Sequence, residues 1–403
     1  GPRNLLGAHR RRRLSSFSCL ISLVPNPPIN STHPSTRLLE EVFASIAHFG
    51  GAGGCAKVIV ADGVKLRDGK GVGDCKFRSG MVTKDAEINY RRYLKRIEVL
   101  INKKGSALYD ATLLVLEQRH GFAHALRRGM VRVKTPFVLV AQHDRSFVKA
   151  VDLENILPKM HNVNVKNQLK SSSDAESGTA TASITATSTR TASHTHTRLN
   201  YVGFPTGTTI THAHHVRSKY ALEVTPFEVG SDDAGDDNQK NKITLLPLVQ
   251  FYDSMHVAST RWYLSKVFGR ERYCTLPKGG FIEDTLGQMM LKDARAFREN
   301  TVSDNVSEFM SQKYGVFVRV ASMDDPGSPV CGHIDGRDLR LANEDNGKFW
   351  FKEIHTAEET WGGIERGMEG VQNDGDKNKN VAIDVLGFFD PADSADLPND
   401  VWI

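Results

Sequence analysis

The chain has 403 residues, 39% of them hydrophobic and 25% charged, with 52 Lys and Arg against 47 Asp and Glu. That composition belongs to a folded chain with a real core, and a formal net charge of +5, part of it in His9-Arg10-Arg11-Arg12-Arg13, gives little support to a genome-binding role. No apolar run reaches the roughly 18 residues that span a bilayer as a helix, and the five cysteines include no CxxC pair, which argues against a zinc ribbon or a dense disulfide scaffold.

In chain order, residues 1–16 are basic and polar and are expected to form a disordered arm. The run 17–24 (FSCLISLV) reads as a short strand closed by Pro25, Pro27 and Pro28, which cannot continue a strand interior. In 35–49, Leu38, Leu39, Val42, Phe43 and Ile46 fall at helical spacing behind Ser35 or Thr36 as N-cap. A glycine-rich turn leads to a second strand, 56–61, ending on Asp62-Gly63, so the opening is one β-α-β unit. Residues 85–102 carry an amphipathic helical pattern with a basic face. Then come a strand at 111–117, a helix at 121–133, a buried strand at 137–141 and a short helical pattern at 151–157. This alternation predicts an α/β fold with a mostly parallel, helix-covered, Rossmann-like sheet.

Two stretches break the pattern. Residues 168–197 are dominated by Ser, Thr and Ala, and 230–242 (GSDDAGDDNQKNK) are acidic; neither can bury a core. Both read as disordered loop insertions into one domain, 17–360, because 199–205 and 243–252 are strand-like or core-like. Further on, 285–297 reads as a helix and 313–320 (KYGVFVRV) as a strand, and Cys331-Gly332-His333 opens a polar turn. Residues 361–403 form a polar C-terminal extension. Gly1-Pro2 resembles a protease-cleavage scar, which is compatible with a membrane anchor removed ahead of it and leaves the compartment open between a secretory (Golgi) lumen and the cytoplasm. The sequons Asn30-Ser31-Thr32 and Asn305-Val306-Ser307 would permit glycosylation in the former.

Two acidic stretches concentrate the chemistry. Phe137-Val-Leu-Val-Ala-Gln142-His143-Asp144 is an apolar strand that stops on an acid, and open α/β sheets bind ligands outside the carboxyl ends of their strands. Gly279-Gly280-Phe281-Ile282-Glu283-Asp284 sets adjacent carboxylates after a Gly-Gly turn and ahead of a helical pattern. Brought together, Asp144 and Asp284 would supply a metal position and a base in one cleft. Each also has a plainer reading, as a strand-end or helix-cap residue.

The order of these signals over roughly residues 17–340 resembles the inverting GT-A nucleotide-sugar glycosyltransferases, the family of cellulose-synthase-type and many bacterial polysaccharide enzymes. The strand ending SLVP, the strand VIVADG, the segment His120-Gly121-Phe122-Ala123-His124-Ala125-Leu126-Arg127, Gln142-His143-Asp144 in the place of a DxD motif and Glu283-Asp284 in the place of xED carry the resemblance. It implies a GT-A fold, a nucleotide-diphosphate sugar donor, a carbohydrate or glycoconjugate acceptor, and magnesium or manganese at Asp144 with His333 as a further ligand. By the same resemblance Asp284, beside Glu283, is the general base. Pro25, Asp62, Arg127, Gln142, His143, Gly279 and Gly280 line the donor. Gln142 departs from the motif's first acid.

A divalent cation would neutralise the leaving diphosphate, and hard oxygen donors suit magnesium or manganese. Trp262 and Tyr263 offer faces for a sugar, or core. His333 reads equally as a turn residue, Arg127 as a solvated helix charge, and the cluster His212, His214, His215 as a solvated loop. Two competing functions remain: a catalytically inactive carbohydrate- or nucleotide-binding relative, favoured by Gln142, and a nucleotidyltransferase, disfavoured by the absence of glycine in 25–34.

Overall fold

Two apolar runs too short for buried helices, AKVIVA and FVLVAQ, form interior strands of the sheet, one on each side of the first strand. The computed structural model describes residues 17–23, 34–46, 55–66, 81–176, 198–230, 242–301 and 305–333. In chain order the elements are β1 (Phe17–Leu23), α1 (Arg37–Ile46), β2 (Ala56–Ala61), β3 (Lys65–Leu66), β4 (Met81–Val82), α2 (Lys84–Asn102), β5 (Thr112–Val115), α3 (Phe122–Met130), β6 (Phe137–Gln142), β7 (Arg145–Phe147) and α4 (Leu153–Glu176). They continue with β8 (Tyr201–Gly203), α5 (His212–Tyr220), β9 (Phe227–Val229), β10 (Ile243–Pro247), β11 (His256–Ser259), α6 (Thr260–Trp262, extended by a π-helical turn Tyr263–Val267), and α7 (Gln288–Asn300, entered through a π-helical turn Glu283–Gly287). Last come α8 (Val306–Lys313), β12 (Val316–Val320) and β13 (Cys331–His333).

The main sheet has nine strands in the order β5-β2-β1-β6-β11-β8-β12-β10-β9. β5, β2, β1 and β6 pair in parallel, in register Ser18↔Ala56 and Phe17↔Phe137, as helical crossovers require. Beyond β6 the pairing changes: β11 is antiparallel to β6 and β8, β8 and β12 are parallel, and β10 is antiparallel to β12 and β9. The sheet is therefore mixed, not mostly parallel in its pairing. The expectation failed because β11 hides in a short run that follows the core-like 243–252 stretch. Traced through these pairings, β10 and β11 run opposite to the other seven strands.

Period-two alternation splits the core between the two faces. Ile59, Ala61, Leu139 and Ala141 point to the face covered by α1, α2 and α4. Val58, Val60, Val138 and Val140 point to the face covered by α3, α6, α7 and α8. All of them are buried, which explains the unbroken apolar reading of β2 and β6.

Several elements depart from the sequence reading. α4 continues far beyond the 151–157 pattern into the stretch read as an insertion, and the rest of that insertion lies outside the described residues. The same holds for most of 230–242, for the arm at 1–16 and for 361–403. His212, His214 and His215 sit on α5, not in a loop. The Asn305 sequon is the N-cap of α8, its side chain accepting from Glu308 N at 3.0 Å. Among the described residues no helix is long and apolar enough to cross a membrane, and Cys55, Cys274 and Cys331 are free thiols.

Candidate functional site

The chain runs β1, β2, β5 outward on one side and returns to place β6 on the other side of β1. That reversal makes a crevice outside the carboxyl ends of β1 and β6, where ligands of open α/β sheets bind. The residues that follow β2 and β6 frame it.

Asp62, directly after β2, is fully buried. Its carboxylate accepts from Gly63 N at 3.0 Å, His120 N at 2.8 Å and Gly121 N at 2.8 Å. Tyr90 Oη donates to its carbonyl at 2.8 Å. A buried charge needs such partners, and the bonds from His120 and Gly121 hold the 118–121 loop against the end of β2. This carboxylate, expected at the nucleotide, is enclosed and engaged by the protein's own backbone.

The loop so held crosses the Gly279-Gly280 turn backbone to backbone. Gly279 N donates to His120 O at 3.1 Å and Ala123 N to Gly280 O at 3.3 Å. A Cβ on Gly121, whose φ is +80°, would lie 2.3 Å from Gly279 Cα. Only glycine permits both the positive φ and the approach. Gly279 and Gly280 thus contact the 120–123 segment. The next residue, Phe281, is 42% exposed, and its ring stacks on buried Phe122 at 5.5 Å between centroids.

Beyond Phe281 the chain turns into the π-helical entry to α7, a local geometry often found at functional sites. Gly287 allows it to sit on the Phe251 backbone, where an added Cβ would lie 3.1 Å from Phe251 O. Glu283 and Asp253 exchange bonds: Glu283 N donates to Asp253 Oδ2 at 3.1 Å, and Asp253 N donates to Glu283 Oε2 at 3.2 Å. This is the logic of a capping box between segments 30 residues apart. Burial pushes the Asp253 carboxyl up to about 8; the Glu283 N–H pulls it down, and the Glu283 and Asp284 charges push it up. Its Oδ1 is buried without a hydrogen-bond partner. Glu283 is also raised, first by burial, with the Asp253 N–H and the Arg145 charge acting against the shift. Glu283 is thereby an anchoring residue, and Asp284 beside it is exposed.

Arg145 lies at the end of the turn after β6, and its Nε donates to Gln142 Oε1 at 2.8 Å. The amide in place of an acid at Gln142 therefore orients a guanidinium whose charge reaches Glu283. Asp144 is partly exposed in the same turn. β13 pairs antiparallel with β7 and sets His333 opposite Arg145, next to Asp144 in the chain. A two-stranded ribbon thus replaces the polar turn expected at 331–333, and Asp144 immediately precedes its first pair. Among the described residues no group of three or more His, Cys, Asp or Glu side chains converges. Asp144 offers one hard oxygen donor, which fits magnesium or manganese, since magnesium commonly binds through one or two carboxylates together with substrate phosphates.

His143, expected to line the donor, is buried. Trp262 and Tyr263 are 4% and 0% exposed, which bears out their reading as core over a face for a sugar; the Tyr263 hydroxyl lies 2.7 Å from His256 Nε2. His212 is buried too, its Nδ1 2.9 Å from Tyr252 Oη and its Nε2 accepting from Val249 N at 3.3 Å. Burial lowers its pKa to about 3, so it is a neutral core histidine. Arg127 on α3 is partly buried, and its pKa is lowered first by burial and then by Arg128 and Arg272. Pro25 lies outside the described residues.

Sequence reasoning missed Asp253, Arg145 and Phe281. The signals were present: a lone carboxylate inside an apolar run, a cation directly after the motif acid, and an aromatic between a glycine pair and two acids. Searches of known protein families and of curated proteins return no match to this chain.

Proposed function

We propose that this chain is a nucleotide-sugar glycosyltransferase of the inverting GT-A kind, transferring a sugar from a nucleotide-diphosphate donor to an acceptor hydroxyl. One observation carries the reading: Arg145, which follows Asp144 in the turn after β6 and pairs with the backbone of His333, acts electrostatically on Glu283. The 142–145 and 283–284 segments therefore approach one another at the edge where the strand order favours a ligand.

In this reading Asp284, exposed on the first turn leading into α7, is the base. The acceptor oxygen bonds to the anomeric carbon as the bond from that carbon to the diphosphate oxygen breaks. The acceptor proton goes to the Asp284 carboxylate, and the electron pair leaves with the nucleoside diphosphate. Glu283 and Asp253 fix the backbone that carries Asp284. Arg145 places positive charge where the diphosphate accumulates negative charge. Phe281 presents an aromatic face to a sugar or base. Magnesium or manganese, held by Asp144 and His333, would neutralise the leaving diphosphate.

A second reading, a binding relative without catalysis, is favoured by the engagement of Gln142 with Arg145 instead of an acid at that position. A thermal-shift screen of nucleoside diphosphates and their sugar conjugates with manganese tests the site. A ligand at a hundred times its Kd adds about 2.7 kcal/mol of stability. One nucleotide giving a manganese-dependent shift, lost in Asp144→Ala, supports the site. Where a shift is seen, turnover separates the two readings; no shift with any nucleotide or sugar conjugate counts against both.

A further inference from the structure

A second ligand site lies further along the same edge of the sheet. The strands β8 and β12 are parallel to each other and point the same way as β6, so their carboxyl ends open on this edge too. Between them and the chain that returns to β13 is a cavity of about 530 Å³, within the roughly 300–1,000 Å³ typical of small-molecule sites. Phe204, Pro205, Val320 and Val330 give it an apolar floor, and Lys149, Arg319 and Ser328 give it polar groups.

Arg319 is the unusual member. The alternation that points Phe317 into the core beneath α1 and α4 sets Arg319 on the same face two residues later. The guanidinium is partly buried, and among the described residues none of its five N–H donors has a hydrogen-bond acceptor. Burial lowers its pKa, and Asp152 acts on it only through space. The nearby acids are turned to other tasks: Asp152 Oδ1 accepts from Asn155 N at 3.1 Å, and exposed Asp325, on the rim, accepts from Gly327 N at 2.8 Å. Lys149 Nζ reaches the Ser328 hydroxyl across the mouth and adds a second cation. A planar fork of donors, partly desolvated and lacking an acceptor, matches the two oxygens of a carboxylate or phosphate.

We propose that this cavity is a binding site for a small anionic ligand, a sugar-sized molecule whose carboxylate or phosphate group sits on Arg319 with Lys149 beside it. The cavity is lined by none of the acids of the crevice, although Lys149, Ala150 and Val330 in its lining flank the β7–β13 ribbon, and the proposal stands whether or not the chain transfers sugars.

Isothermal titration of the full chain with glucuronate, glucose 6-phosphate and glucose tests it. Glucuronate or glucose 6-phosphate is expected to bind and neutral glucose not; whichever anion binds more tightly names the source as an acid or a phosphate ester. Arg319→Gln is expected to weaken that binding about tenfold to a hundredfold, the range of a lost charge-assisted contact. Arg319→Lys should give an intermediate loss, because it keeps the charge without the fork. Lys149→Gln, at an exposed position where folding is not at stake, should weaken binding a few-fold. Asp284→Asn should leave it unchanged. Binding of glucose as tight as that of both anions, anion binding unaffected by both Arg319→Gln and Lys149→Gln, or no binding of either anion would overturn the proposal.

Discussion

Replacing Asp253 by Asn tests the electrostatics of the acid-bearing crevice through folding alone. Asp253 is 5% exposed, with its carboxyl pushed up to about 8 from 3.8, mainly by burial. Between those values the folded protein holds a proton that the unfolded chain has released, so stability falls as pH rises through this window. The fall is at most about 1.4 kcal/mol per pH unit, or about 3 kcal/mol between roughly pH 5 and pH 7. That is a large share of the ~5–15 kcal/mol that holds a typical domain together. Asparagine keeps an acceptor for the Glu283 N–H and cannot titrate. Urea unfolding of wild type and Asp253→Asn at a series of pH values should show curves that diverge as pH rises, with the variant gaining relative stability by about 3 kcal/mol over that interval. Curves that stay parallel would refute the assignment of Asp253 as a buried, protonated carboxyl.

The backbone crossing and the exposed aromatic make further predictions. Gly121→Ala combines a φ of +80° with a Cβ 2.3 Å from Gly279 Cα, and should cost about 3 kcal/mol or more in chemical denaturation. Gly105→Ala, with φ +88° and open space around it, should cost only about 1 kcal/mol. Equal effects would mean that the crossing is not tight. Asp62→Ala strips three backbone N–H groups of their buried acceptor, and should lower stability by about 3 kcal/mol or more by thermal unfolding; a neutral outcome would contradict the clamp. Phe281→Ala should leave the melting temperature nearly unchanged and raise the KM for donor or acceptor about tenfold, a loss of about 1.4 kcal/mol. An unchanged KM would remove the ring from the site.

The parts of this fold that were legible are those with a single dominant force. β2 and β6 are buried on both faces, so hydrophobic burial alone marks them, and β2 keeps the bounds that its apolar run indicates. α1 follows from Leu39, Val42, Phe43 and Ile46, which are all buried on one stripe. The parts that were not legible depend on tertiary pairing. β7 and β13 have three residues each, too few for any periodicity, and exist because each supplies the other's hydrogen bonds. α4 runs into a Ser-rich segment that local composition assigns to a loop. At the crevice, the positions of Asp144 and Glu283-Asp284 in the sequence are informative because strand ends and helix starts expose side chains. Asp62 looked similar, yet two of its three backbone partners, His120 and Gly121, come from a loop nearly 60 residues away, which no local pattern announces.

The central claim is that Asp284 removes a proton from an acceptor while a nucleoside diphosphate departs from the same crevice. Turnover of nucleotide sugars by wild type and by Asp284→Asn, each with manganese and with a donor identified by thermal shift, addresses it most directly. The predicted result is transfer by wild type and a loss of about a hundredfold or more in the variant, with donor binding and melting temperature unchanged because the side chain is exposed. Transfer by Asp284→Asn at the wild-type rate, or no turnover of any nucleotide sugar by wild type, would contradict the claim.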